Sequence, residues 1–259
     1  MNLSKNTILI TGGASGIGFE LVKQLIPMNN KIIITGRDEA KLKKAKDQFP
    51  QIHTIKSDVS NSKDIEALFA KIQKDFPDTN ILINNAGIMT DINLHEAKDL
   101  DQLTNEIDTN LKGPIRMNAI FLPHLKTKAA AAIVNVSSGL AFVPLPSAPV
   151  YCATKAALHS YTQSLRVQLK KTNVKVFELA PPATKTELLG QMDPEDMKGI
   201  SIMSVEAMVT TAIRGFECDQ FEIRPGQANQ LKFMSRLAPE FILKQMSKPV
   251  DRMLAAMKH

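Results

Sequence analysis

The chain has 259 residues, 44% apolar and 22% charged; this is enough for a sizeable core, and twelve Gly with fourteen Pro exclude a low-complexity chain. The net charge of +6 is spread along the sequence; with no Trp, two Tyr and no basic stripe interleaved with aromatics, it points to solubility or an anionic ligand and away from nucleic acid. Cys152 and Cys218 make no disulfide framework, no run reaches the roughly 20 apolar residues of a bilayer span, and the start lacks a signal pattern, so a reducing, cytoplasmic setting is expected.

A β-branched run at Thr7–Thr11 predicts the first strand. Thr11-Gly12-Gly13-Ala14-Ser15-Gly16-Ile17-Gly18 follows it and opens a helical pattern over 16–28. Glycines at 12, 16 and 18 permit a tight turn, close approach of backbone to a pyrophosphate and close packing of helix on sheet. The helix start offers unpaired N–H groups and a positive dipole end to that anion, and Ser15 adds a hydroxyl. The second strand, Lys31–Thr35, runs into Gly36-Arg37. A site for NAD usually has a carboxylate here for the ribose 2′-OH. Gly36 instead leaves space, and the planar fork of Arg37 suits a 2′-phosphate; the alternative is a solvated loop charge. NADP(H) is therefore favoured over NAD(H). Asp38 is placed to cap a helix over 39–48.

Further strands are expected at His53–Lys56, Asn80–Asn84, Ala131–Ser137, Val174–Leu179 and Phe221–Arg224, with helices over 62–75, 100–125, 152–171 and 204–217. Pro123 falls near the end of the fourth helix, where a bend or stop is expected. Apolar runs without polar alternation suit strands covered on both faces. Their alternation with helices predicts a single α/β domain: a seven-stranded parallel sheet, right-handed crossovers, and helices on both faces. Residues 1–226 form the core of this reading, and 227–259 a helical extension of two short helices, the second from Pro239. The Pro- and Met-rich stretch 181–203 fits neither period and reads as an irregular, mobile excursion.

Tyr151-Cys152-Ala153-Thr154-Lys155 opens the fifth predicted helix, and positions four apart share a face. A phenol is a poor acid–base group at neutral pH; a neighbouring ammonium favours the phenolate. Tyr151 then exchanges a proton with a carbonyl or alcohol oxygen, and Ser138 at the end of the fifth strand can bond the same oxygen.

These motifs together resemble the short-chain dehydrogenase/reductase family, a Rossmann fold, over about residues 5 to 226. The resemblance rests on the glycine signature, Asp58-Val59, Asn84-Asn85-Ala86-Gly87, Asn110, Ser138, and Tyr151 with Lys155. It implies Asn110, Ser138, Tyr151 and Lys155 as the catalytic set, and hydride transfer on the B face of a nicotinamide. Asp58 would meet the adenine amino group with Val59 behind the ring. Asn84 to Gly87, including Asn85 and Ala86, would close over the adenosine ribose. Asn110 would hold a water linking Lys155 to solvent, and Lys155 would bind the nicotinamide ribose. The family spacing to the tyrosine, thirteen positions, selects Ser138 over Ser137. One departure stands out: Pro181-Pro182-Ala183-Thr184-Lys185-Thr186 replaces the usual Pro-Gly, leaving Pro181, Thr184 and Thr186 as carboxamide-end contacts but the loop's path open.

Phe221 to Gly226 and Met234 to Pro239 are similar to a bacterial subgroup named DltE-like, without fixing the substrate. The tail pattern of Leu231, Met234, Leu237, Phe241, Ile242 and Met246 is amphipathic; packing on its own or a partner subunit is preferred to a membrane surface. The family also implies a homodimer or homotetramer paired through helices 100–125 and 152–171. Gly139, Leu140, Phe142, Val143, Pro144, Leu145 and Met192 are candidate walls for an apolar or mixed carbonyl compound. No metal is expected, since the histidines show no ligand spacing, and no redox role is assigned to Cys152. The function read from the sequence is an NADP(H)-dependent oxidoreductase interconverting a ketone or aldehyde and its alcohol. The alternative is a catalytically silent NADP-binding regulatory protein; the complete Asn110, Ser138, Tyr151 and Lys155 set favours the enzyme.

Overall fold

The structure, a computed structural model, describes residues 1–96, 99–191, 195 and 201–257. Seven strands form one sheet: β1 (Thr7–Thr11), β2 (Lys31–Gly36), β3 (His53–Lys56), β4 (Thr79–Asn84), β5 (Ala131–Val136), β6 (Val174–Leu179) and β7 (Glu222–Ile223). Their order is β3-β2-β1-β4-β5-β6-β7, and every neighbouring pair is parallel. The predicted single α/β domain is what the chain folds into.

The strand residues explain this arrangement. All five positions of β1 and all six of β5 are buried. Alternate side chains feed two separate cores. Ile8, Ile10, Ile32, Ile34, Ile81 and Ile83 face one layer, with Leu21, Val22, Ala212 and Phe216 from helices α1 (Gly16–Leu25) and α7 (Val205–Glu217). Leu9, Ile33, Leu82, Ile133 and Val176 face the other, with Ile65, Met117, Phe121 and Leu165 from α3 (Ser62–Asp75), α5 (Gly113–Lys126) and α6 (Pro149–Gln168). A sheet covered on both faces has no polar face to show, hence the unbroken apolar runs.

Asp38 caps α2 (Glu39–Gln48) by accepting from the Lys41 N–H at 3.0 Å, as its position suggested. The helical pattern over 100–125 is not one helix. It is α4 (Leu100–Ile107), a π-turn at Asp108–Lys112, then α5. Helix α6 begins at Pro149 rather than 152, because proline suits the first turn. Within 181–203, Lys185 N–H and Met203 N–H exchange bonds with Met203 and Ala183 carbonyls at 3.0 and 2.9 Å, so Pro182 starts a pinned loop. Residues 192–194 and 196–200, Met192 among them, lie outside the described residues. Among the described residues the tail holds three helices, not two: α8 (Gln227–Leu237), α9 (Pro239–Met246) and α10 (Lys248–Ala256). A second break at Ser247, followed by Pro249 in the first turn of α10, divides the last stretch. No helix among the described residues is long and apolar enough to cross a membrane.

Candidate active site

From β1 the chain steps outward to β2 and β3, then returns to place β4 on the other side. Parallel sheets open a crevice at the carboxyl ends of the strands at such a reversal. Here it is a cavity of about 760 Å³.

One end of the cavity is made of backbone. Gly12 has φ +63°, and a Cβ on it would lie 2.9 Å from Ala86 Cα. A Cβ on Gly18 would run into the Gly12 carbonyl and the Asn85 amide. Gly13, not singled out from the sequence, is equally restricted: its Cβ would lie 2.5 Å from the Ile34 side chain. Asn85 Nδ2 donates to the carbonyls of Thr11 and Gly12 at 3.0 Å each, and the Thr11 hydroxyl accepts from the N–H groups of Asn85 and Ala86 at 3.0 and 3.1 Å. The glycine turn is thereby stitched to the end of β4. Ser15, the N-cap of α1, makes no capping bond with its side chain, so its hydroxyl and the first-turn N–H groups face the cavity as donors.

Ile17 and Gly16 continue this wall, with the Thr186 methyl 3.5 Å from where a Gly16 Cβ would be. Arg37 is exposed at the cavity edge. Lys41, which the sequence reading missed, lines the same corner from α2 and binds Glu187 Oε2 at 2.5 Å. Its signal was present: a second cation one turn inside the helix that Asp38 caps. Asp58 borders the cavity and accepts from Ser60 N–H and Oγ at 2.9 and 2.7 Å through one carboxylate oxygen; Val59 lies buried beside Gly113. Pro181 and Thr184 line the far side, where Pro181 O accepts from Gly139 N–H at 2.7 Å and Thr184 Oγ1 donates to Pro182 O at 2.8 Å.

The other end is made of buried side chains. Ser138, Tyr151 and Lys155 all line it and are 8%, 6% and 4% exposed. Burial pushes the Tyr151 phenol up to about 12, against a lowering hydrogen bond with Ser138. The phenol therefore moves upward, the opposite of the lowering by Lys155 expected from the sequence. Lys155 Nζ donates to Val136 O at 3.0 Å, sits 5.6 Å from the Tyr151 ring centroid, and is itself pulled down to about 8 by burial. Gly87 closes over this amine; a Cβ there would lie 3.5 Å from Lys155 Nζ and 3.4 Å from Asn110 Oδ1.

Asn110 is fully buried behind the cavity wall, in the π-turn. Its Oδ1 accepts from Ile88 N–H at 2.9 Å, and its Nδ2 donates to Ile88 O at 2.8 Å and Thr154 Oγ1 at 3.3 Å. Local π geometry is frequent at functional sites because it re-aims one turn without ending the helix. Asn84 turns inward instead, donating to Asn118 Oδ1 and Asn135 Oδ1 at 2.7 and 2.9 Å, which ties β4, β5 and α5 together.

Met89, Leu140, Leu145 and Leu188 make this end of the cavity apolar, and Met246 packs on the same cluster from the end of α9. Sequence reasoning found Leu140 and Leu145 but not Met89 or Met246, which come from distant segments. Cys152 is buried, with Sγ accepting from Leu145 N–H at 3.2 Å, and burial pushes its thiol up to about 11, which suits an inert packing role.

His159, Glu178 and Glu222 form a cluster that the histidine spacing did not reveal, with candidate ligand atoms within 4.8 Å of one another. Its groups are already bonded. Glu178 accepts from Ser137 Oγ at 2.5 Å and pairs with His159 Nδ1 at 2.7 Å; Glu222 holds Arg224 at 2.6 Å and also Lys232.

The seven-stranded parallel sheet is the fold expected from the sequence, and sequence comparison gives its family. Residues 6–197 match the family model described as short chain dehydrogenase. The chain belongs to the short-chain dehydrogenase family of oxidoreductases. It is 42% identical over 250 residues to "Uncharacterized oxidoreductase DltE" of Bacillus subtilis (strain 168), covering 95% of this chain and 98% of that one. A short chain dehydrogenase from Burkholderia cenocepacia J2315, solved in complex with NADP, superposes with a TM-score of 0.82 at 24% identity, over 95% and 99% of the two chains. A 3-ketoacyl-(acyl-carrier-protein) reductase from Brucella melitensis, complexed with NADH, gives a TM-score of 0.76 at 25% identity, over 83% and 91%.

Proposed function

We propose that the chain is an NADP(H)-preferring oxidoreductase that interconverts a ketone or aldehyde and its secondary or primary alcohol. The observation that carries this reading is one continuous cavity with a backbone anion cradle at one end and Ser138, Tyr151 and Lys155 at the other. The residues fit a nicotinamide dinucleotide: the glycine turn leaves the space a Cβ would fill, and the start of α1 supplies unpaired donors. Gly12, Ser15, Gly16, Ile17 and Gly18 would hold its pyrophosphate, Arg37 its 2′-phosphate, and Asp58, Val59, Asn85, Ala86 and Gly87 its adenosine side. Pro181, Thr184, Thr186 and Lys155 would hold the nicotinamide side. When bound, the group supplies or accepts the hydride.

The chain's own residues handle the proton. The phenol of Tyr151, held protonated at neutral pH by burial, donates to the oxygen of a bound carbonyl while Ser138 orients that oxygen. The Lys155 ammonium lies beside the phenol and stabilises the phenolate left behind. Asn110 holds the wall at Ile88. A phenol this reluctant to ionise makes reduction the favoured direction near neutral pH, with alcohol oxidation gaining at alkaline pH. The apolar wall favours an apolar or mixed carbonyl substrate.

We place the protein in the cytoplasm as a homodimer or homotetramer. Val167 on α6 and Leu100 on α4 are 63% and 77% exposed, as an oligomer contact through those helices would require. The decisive experiment is an absorbance assay of NADPH and NADH oxidation over a panel of ketones and aldehydes. Turnover with NADPH at a kcat/KM at least about tenfold that with NADH is expected. Tight NADPH binding with no turnover on any carbonyl would favour a silent cofactor-binding protein instead.

A further inference from the structure

Glu106 is the buried ionisable group that the reading above does not use. It closes the last turn of α4, directly before the π-turn that carries Asn110, and is 2% exposed. Its Oε1 accepts from Thr90 N–H at 2.5 Å. Its Oε2 is buried with no hydrogen bond of standard geometry among the described residues, although the Thr90 hydroxyl lies near enough to the carboxylate to lower its pKa. A carboxylate oxygen without a well-formed hydrogen bond in a dry site is costly, and such atoms concentrate where charge has a task.

The surroundings supply the task. Asn110 grips the N–H and carbonyl of Ile88, and Glu106 grips the N–H two residues on, so the pair fixes the segment that carries Met89 into the reacting end. The groups facing Glu106 electrostatically are Lys155, Tyr151 and Cys152 from α6 and Asp91 from the segment after β4. Lys155 is the cation in this set, and Glu106 is the charge that opposes the loss of its proton on burial.

We infer that Glu106 is a positioning residue for the reaction: through the Thr90 N–H it anchors the segment that carries the Met89 wall, and its second, buried oxygen is a counter-charge to Lys155. The inference rests on the assignment of Tyr151 and Lys155 as the reacting pair. An anion here raises the pKa of both groups, so its removal lowers both.

The test compares Glu106→Gln with Glu106→Asp. The amide keeps the volume and an acceptor for Thr90 but loses the charge; the aspartate keeps the charge on a shorter arm. For Glu106→Gln we expect kcat to fall about tenfold, KM for the cofactor to stay within about twofold, and the ionisation limb of the kcat profile to move about one unit to lower pH. In Glu106→Asp the limb should stay near its wild-type position. A second readout needs no turnover. With two tyrosines and no tryptophan in the chain, tyrosinate absorbance in a Tyr161→Phe background reports Tyr151 alone, and its onset should come at lower pH in Glu106→Gln than with Glu106 intact. An unmoved onset and limb in a folded Glu106→Gln protein would overturn the role. A moved onset in a protein that turns over no carbonyl would instead defeat the enzymatic reading and leave the charge relation standing.

Discussion

The two ends of the cavity are built on opposite principles. At the end proposed to hold phosphate the protein contributes the absence of side chains: Gly12, Gly13 and Gly18 clear space, and the donors are main-chain N–H groups at the start of a helix. At the reacting end it contributes buried, ionisable side chains whose proton affinities are displaced by their surroundings: Tyr151 upward to about 12, Lys155 downward to about 8, and Glu106 upward. The first kind of site binds with little electrostatic strain. The second holds groups in states that water would not favour, which is how a fold prepares acid–base chemistry. If this division is correct, substitutions at the two ends should separate binding from turnover.

The largest separation is expected from Tyr151→Phe. The ring and its packing against Met89 and Leu145 survive, while the proton donor is lost. Turnover should fall by about 10³-fold, within the range of general acid–base contributions, with NADPH affinity unchanged within about twofold. Steady-state kinetics paired with fluorescence titration of NADPH would measure both. A variant that keeps most of its turnover would remove Tyr151 from the proton path and blur the two ends into one binding site.

Next in size is Arg37→Ala at the opposite end. Its guanidinium is exposed and lines the cavity corner beside Lys41. A charge-assisted bond to a phosphate contributes roughly 1.5–3 kcal/mol, so NADPH affinity should weaken about 10- to 100-fold while NADH changes less than about twofold. Equal losses for both cofactors would mean that Arg37 acts on the general potential. A loss appearing only in Lys41→Ala would move the phosphate contact from the loop before α2 into that helix's first turn.

The same division decides what was legible in the amino-acid sequence. Glycine spacing is itself the chemistry at the phosphate end, so Gly12, Gly16 and Gly18 announced a turn and a cradle, and the seven apolar runs announced a doubly covered sheet. Tyr151 and Lys155 were legible because their partnership is local to one helix. Glu106 was not, because its relation to Lys155 joins two helices far apart in the chain, and nothing local distinguishes it from a solvated glutamate. The π-turn was hidden for a related reason: one extra residue in a turn hardly changes an apolar pattern running over 100–125. Met246 reaches the reacting end only because α9 folds back onto the cluster around Tyr151, a path that its own amphipathic pattern does not encode.

The smallest expected effect is also the one that states the contrast most directly, because it concerns stability. Lys155 titrates at about 8 in the folded chain against an ordinary 10.5, so across that window the unfolded state binds more protons and stability rises with pH. Below about pH 8 the folded protein carries the buried ammonium at its full penalty, a gross figure of about 3 kcal/mol for an amine pulled from 10.5 down to about 8. Lys155→Met removes that penalty. It also leaves the Val136 carbonyl without its 3.0 Å donor, a loss of about 1 kcal/mol, and deprives Glu106 of its neighbouring cation. The net expectation is a variant about 1–2 kcal/mol more stable than wild type at pH 7, with no turnover, and about 1–2 kcal/mol less stable by pH 10.5, where the wild-type penalty is gone and the lost donor and cation remain. Urea denaturation at both ends of that range measures it. A methionine variant that is no more stable at pH 7, or whose advantage persists unchanged at pH 10.5, would mean that the amine is solvated rather than held under strain, and the reacting end would then differ from the phosphate end in chemistry but not in the way the fold supports it.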